Sequence, residues 1–155
     1  MKNLSIFLFF VLMLNACTQQ ELFEKNIELP NYQWKSNFSP EINFTITDTS
    51  SAYRIFFVIR HTNAYRYNNL WISLKSTSPG SIAAQEQRFD LPLAASDQWL
   101  GTGMDDIFEH RILLYREPVK FKTFGKYSIT ITQIMRDNPL LYVMNVGIRL
   151  EKIIN

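Results

Sequence analysis

The sequence predicts an all-β chain: an antiparallel β-sandwich, jelly-roll or immunoglobulin-like, forming a single domain behind a signal peptide and a short tether. Three observations carry this. Apolar and polar residues alternate in segment after segment, the period of a half-buried strand. Turn chemistry separates these segments, at Asp48, Thr49 and Ser50, at Pro79 and Gly80, and at Asp137, Asn138 and Pro139. No segment carries the i, i+3, i+4, i+7 stripe of an amphipathic helix. The best helical candidate is one turn over 104–108, with Asp105 and Asp106 at its start.

The strands follow in chain order. Ile42, Phe44 and Ile46 alternate with polar residues. Tyr53, Ile55, Phe57 and Ile59 share one face of the next segment, while Phe56 and Val58 occupy the other, so this strand is expected to be covered on both sides. Leu70, Ile72 and Leu74 alternate, with Trp71 opposite. Phe89, Leu91 and Leu93 come next, and Pro92 marks an edge or a strand end. Residues 112–115 form a continuous apolar run before Pro118. Tyr127, Ile129 and Ile131 alternate, as do Met144, Val146, Ile148 and Leu150. Many short strands with regular turns read as a sandwich or barrel.

At 155 residues, one domain is expected. The chain is 46% hydrophobic and 19% charged, which is a globular composition. The formal net charge of +2 is too small for a nucleic-acid protein, which needs a strong basic excess on one face. The lone cysteine allows no internal disulfide, and its position explains it. Lys2 supplies a positive start, and residues 4–14 form an apolar run broken by Ser5. That run is too short to span a bilayer, which takes about 20 residues. It ends in Leu14, Asn15, Ala16 and Cys17, which resembles the bacterial lipobox. Small Ala16 suits a signal peptidase pocket, and the Cys17 thiol accepts a diacylglyceryl group. The amine freed by cleavage accepts a further acyl chain such as palmitate. Several chains anchor stably where one holds only marginally. The expected organisation is a signal peptide over 1–16, a lipidated tether over 17–26 and a sandwich domain over 27–155. No cofactor is expected beyond this covalent N-acyl diacylglyceryl lipid. Thr18 follows the cysteine, and no dense acidic cluster does, which favours an outer-membrane lipoprotein on the periplasmic face over the cell surface.

An ordered set of residues then carries a resemblance. Arg60 and His61 close an apolar strand, followed by Tyr65, Tyr67, Asn68, Asn69, Leu70 and Trp71. Gln98, Trp99, Leu100 and Gly101 come later, then Gly103, Asp106 and Ile107. Phe124 to Tyr127 open a strand, and Met135 to Leu140 precede the run from Val146 to Lys152. Behind a lipobox, this set resembles the GldH family of gliding-motility lipoproteins over nearly the whole mature chain. The sequence departs from the family pattern at Leu141 and Tyr142, where small or turn residues are usual, and at Asn145, where an acid is expected. The resemblance implies an outer-membrane lipoprotein that supports gliding motility and the type IX secretion apparatus. It implies an assembly or stability factor without catalytic activity, touching the bilayer through Cys17 and other envelope proteins of that machinery.

No nucleophile elbow, H-E-x-x-H helix or P-loop occurs, and the two histidines, His61 and His110, lie far apart in sequence. Asp105, Asp106, Glu109 and His110 offer metal-ligand chemistry, but without the alternating spacing of a Ca²⁺ loop they read as a capped turn. Trp34, Trp71, Trp99, Tyr65 and Tyr67 could stack on sugars, which makes a carbohydrate-binding lipoprotein the alternative function; filling or rimming the core is the plainer role. Tyr65, Arg66 and Tyr67 sit in a polar loop and are the candidate partner-binding residues. Arg60, Arg136 and Arg149 could grip a partner's carboxylates or fasten strand ends to internal ones such as Asp106 or Asp137.

Overall fold

The computed structural model describes residues 22–153. Cys17 and the expected signal-peptide boundary lie outside the described residues. Thirteen strands are present: β1 (Leu22–Glu28), β2 (Gln33–Trp34), β3 (Glu41–Ile46), β4 (Tyr53–Thr62), β5 (Asn69–Thr77), β6 (Gln85–Pro92), β7 (Ala94–Ala95), β8 (Gln98–Trp99), β9 (Thr102–Met104), β10 (Ile107–Leu113), β11 (Gly125–Gln133), β12 (Leu140–Leu141) and β13 (Val143–Lys152). One sheet has the order β1-β13-β4-β10-β9, the other β3-β11-β5-β6, and every pairing is antiparallel. Leaving aside the short strands, the chain passes from sheet to sheet at nearly every step. The two four-strand orders are those of a jelly roll, so of the two sandwich types expected, this is the one formed.

The alternation read from the sequence is what separates core from surface. From β4, Ile55, Phe57 and Ile59 point between the sheets; from β13, Val146, Ile148 and Leu150; from the opposite sheet, Ile42, Phe44, Ile72, Leu74, Ile129 and Ile131. All belong to one apolar core. The expectation that β4 is covered on both faces holds at Val58, which is fully buried although it faces outward. It lies in register between Arg111 on β10 and Gly147 on β13.

Two expectations are corrected. The sandwich begins at Leu22 and not at residue 27, because residues 22–26 pair with β13 instead of forming a tether. Residues 104–108 form no helical turn; they are the tight hairpin between β9 and β10, with Asp105 at φ 53°.

β1 lies unusually close to β13. A Cβ on Gly147 would run into the Asn26 side chain and the Lys25 carbonyl oxygen. The side chain could swing away, but the backbone oxygen could not without shifting the strand. Gly147→Ala should therefore cost about 1–3 kcal/mol, as overpacking does, read as a lower urea midpoint. Hydrogen-exchange protection should fall first along β1. An unchanged midpoint would mean that β1 shifts freely.

Candidate functional site

The pairing register gives the sandwich two distinct ends. At one, Leu22 stands beside Glu151, Glu151 beside Arg54, and Tyr53 bridges to Val119. The start of β1 therefore lies at this end, with the loops 47–52, 78–84 and 114–124. At the other end are the loops 29–40, 63–68, 93–106 and 134–142. The first end is proximal to the chain's N-terminal segment and the second is distal.

The distal end is built around two histidines. β4 carries His61 and β10 carries His110 inward at neighbouring register positions, Phe108 facing His61 and His110 facing Ile59. Their Nε2 atoms lie 2.9 Å apart, and both rings are buried. His61 Nδ1 lies 2.8 Å from the Thr62 carbonyl oxygen. That oxygen can only accept, so Nδ1 carries the proton. In the neutral pair His61 Nε2 then accepts, and His110 Nε2–H donates. Burial lowers the pKa of both rings, against the Thr62 bond for His61. For His110 the neighbouring His61 adds to the effect, and its pKa falls to about 4. Trp99 packs edge-on to His61 at 4.5 Å between centroids, with Tyr65 and Phe108 against the same ring. The Trp99 indole N–H donates to Asn63 Oδ1 at 2.8 Å.

A second set of bonds fixes the neighbouring loops. Trp34 is fully buried, and its indole N–H donates to the Phe38 carbonyl at 2.9 Å. Buried Gln133 donates to the carbonyl oxygens of Trp34 and Asp137 and accepts from the Met135 N–H. Its amide is thereby satisfied on both sides, as a buried polar group requires.

The structure corrects one of the three candidate contact residues. Tyr65 is buried, not exposed: its ring caps the histidine pair, its hydroxyl donates to the Asn69 carbonyl, and burial raises its pKa. Arg66 is exposed and Tyr67 half-buried at the same end. The Asp137 carboxylate accepts from the Tyr67 hydroxyl and holds its pKa above the ordinary phenol value. The five aromatics considered for sugar stacking line no common exposed face, although Tyr67 and Trp99 both pack against buried Tyr65. Trp34 and Tyr65 are core, Trp99 packs on His61, and exposed Trp71 lies on the outer side of the other sheet.

Arg60 and Arg149 are held within the molecule, though not by Asp106 or Asp137. Arg60 pairs with Glu109 at 2.6 Å, and Arg149 reaches Glu24 at 2.8 Å and Glu151 at 2.7 Å. Arg149 thus ties β1 to β13. Burial acts to raise the Glu24 carboxyl, but the Arg149 and Asn26 hydrogen bonds outweigh it and lower its pKa. Arg136 is exposed at the distal end. The acids weighed as metal ligands diverge: Asp105 and Asp106 occupy a hairpin, while Glu109 faces outward to Arg60 and Arg111. Among the described residues no group of three or more potential ligands could hold a metal ion.

Two features of the distal end escaped the sequence reading. Among the described residues all six non-glycine positions with positive φ lie there: Asn31, Tyr32, Ser96, Asp97, Asp105 and Tyr142. Such backbone conformations cost free energy and gather at functional loops. Tyr142 is one of the positions where the sequence departs from the family pattern, and its left-handed backbone is what a small or turn residue would suit. Asn145, another, sits at the register shift that opens β13. Exposed apolar side chains also concentrate here, with Tyr32, Leu100, Met104, Ile107, Ile134 and Leu141 all at least 36% accessible. Apolar side chains exposed in this number at one end suit a contact surface.

Residues 21–150 match the model of the family described as GldH lipoprotein. The chain belongs to that family. Two relatives match over nearly their whole length. One is a gliding motility lipoprotein GldH homolog of Christiangramia forsetii, 29% identical, with 95% of this chain and 93% of that protein covered. The other is the gliding motility lipoprotein GldH of Flavobacterium johnsoniae, 28% identical, with 97% of each covered. The GldH match takes in β1 through most of β13, so both ends of the jelly roll fall within it. As a lipoprotein family, GldH places the chain in the cell envelope.

Proposed function

We propose that this lipoprotein supports gliding motility and the linked type IX secretion apparatus as a non-catalytic assembly or stability factor. It is anchored to the outer membrane, on the periplasmic face, by acyl chains on Cys17. It acts by protein contact through its distal end. The observation that carries this reading is the division of labour between the ends. The chain enters from the Cys17 side at the proximal end. Most of the exposed apolar side chains and, among the described residues, all of the left-handed non-glycine positions lie at the distal end, away from the anchor. The relatives' names support the gliding role, and the buried or scattered tryptophans favour a protein partner over a sugar.

The test is complementation of a deletion strain in a gliding host. Deletion should stop spreading and secretion, and the wild-type gene should restore both. Because Tyr65 is core, the variants leave it intact. Arg66→Ala/Tyr67→Ala and Leu100→Glu/Met104→Glu should accumulate to normal levels yet fail to restore spreading, since interface anchors cost about 2 kcal/mol or more each on truncation. Full complementation by both variants removes the distal end as the contact surface. Normal gliding and secretion in the deletion strain removes the function itself.

A further inference from the structure

The proximal end carries its own pattern of charge and apolar exposure. The loop 114–124 and the first residues of β11 hold Arg116, Lys120, Lys122 and Lys126, all exposed, against one carboxylate, Glu117. Among the described residues no ion pair engages any of the four cations. Two apolar side chains protrude at the same end: Phe124, 75% accessible, and Ile82, wholly accessible at the tip of the loop 78–84. Neither has a place in the core. The distal end is mixed in sign, with Asp97, Asp105 and Asp106 exposed on its loops beside Lys35, Arg66 and Arg136.

Chain geometry says what this end faces. Leu22 is five residue steps from Cys17, and a chain advances at most about 3.6 Å per residue, so the anchor lies within about 18 Å of Leu22. A surface tethered that closely stays within reach of a charged bilayer, whose field decays over about 10 Å. Exposed cations beside a protruding aromatic ring are the chemistry that binds anionic headgroups and the interface beneath them.

We propose that the proximal end is a second, non-covalent membrane contact. Arg116, Lys120, Lys122 and Lys126 lie against anionic phospholipid headgroups, and Phe124 and Ile82 enter the interface. The jelly roll then stands end-on, and Arg66, Tyr67, Leu100 and Met104 point away from the membrane. The inference rests on the anchor at Cys17, and its test separates the two.

Full-length lipidated protein is reconstituted into vesicles of phosphatidylglycerol and phosphatidylcholine, or of phosphatidylcholine alone. Cys17 is the sole cysteine, and acylation consumes its thiol. Thr123→Cys therefore carries a single nitroxide label beside Phe124, and Arg66→Cys carries one at the distal end. Flotation reports the anchor; access of a water-soluble nickel complex reports immersion. In anionic vesicles the label at 123 should be at least about fivefold less accessible than the label at 66, as interfacial burial requires. High salt, or Lys120→Glu/Lys122→Glu/Lys126→Glu, should return it toward its value in phosphatidylcholine. A protein that floats while both labels are equally accessible overturns the proximal contact and leaves the anchor standing. A protein that does not float overturns the anchor and the orientation built on it.

Discussion

Replacing Cys17 with alanine should remove all fatty-acid label from the protein and leave the precursor uncleaved. Acylation needs a thiol, and the chain contains one cysteine, so no second site can substitute. The residues before it carry the expectation of processing: Lys2, the apolar run over 4–14 and small Ala16 form the pattern of a cleaved signal peptide. Metabolic labelling with palmitate and the migration of the protein on a gel read both effects at once. The loss should reach gliding as well. An uncleaved precursor without acyl chains would be held by its apolar run at the site of export instead of by lipid in the outer membrane, and its distal loops would not be presented where they act. Label persisting on the Cys17→Ala protein would show that the thiol is not the acylation site. Label lost with gliding intact would show that the lipid anchor is dispensable.

The fold was legible wherever core packing sets the pattern. The strands around Ile42, Ile55, Ile72, Ile129 and Ile148 alternate as a half-buried strand must, and each is present. The apolar run places β10 at 112–115, whereas the strand is Ile107–Leu113, because His110 occupies an inward position where an apolar residue is expected. β1 was missed for a related reason: Lys25 stands at the edge between Phe23 and Ile27 and breaks their alternation. The histidine pair could not be foreseen, since 49 residues separate its members and only the β4–β10 register joins them. Tyr65 misled because its neighbours Asn63, Arg66 and Asn68 are polar. Loop composition does not say which single ring turns inward to close the core.

Acidification should weaken the distal end before the rest of the sandwich, with the histidine pair as the cause. Both folded-state pKa values lie below the ordinary histidine value near 6.5, His110 at about 4. Between those limits the unfolded chain binds more protons than the folded one, so stability rises with pH across the window. The contribution is complete above pH 6.5, is lost progressively down to about pH 4 and is flat below. One pKa unit corresponds to 1.36 kcal/mol, so the His110 shift, which includes the repulsion of a charged His61, is on the order of a few kcal/mol for the pair. That is a large fraction of the 5–15 kcal/mol typical of a whole domain. Paired carboxylates such as Glu24 lose their contribution only at lower pH, because its pKa is already depressed. The upper half of the window therefore belongs to the histidines. Urea midpoints followed by far-ultraviolet circular dichroism at pH 7, 6, 5 and 4 should trace this slope. Tryptophan emission is the wrong probe, since Trp99 touches His61 and a charged ring would quench it directly. His110→Gln keeps a donor toward His61 Nε2 without its own titrating ring, and should reduce the slope between pH 6.5 and 4.5 to the share that buried His61 still contributes. Hydrogen exchange at pH 5 should show the loops 63–68 and 93–106 opening ahead of the central strands. A His110→Gln protein with the wild-type slope would assign the acid sensitivity elsewhere and leave the pair as packing alone.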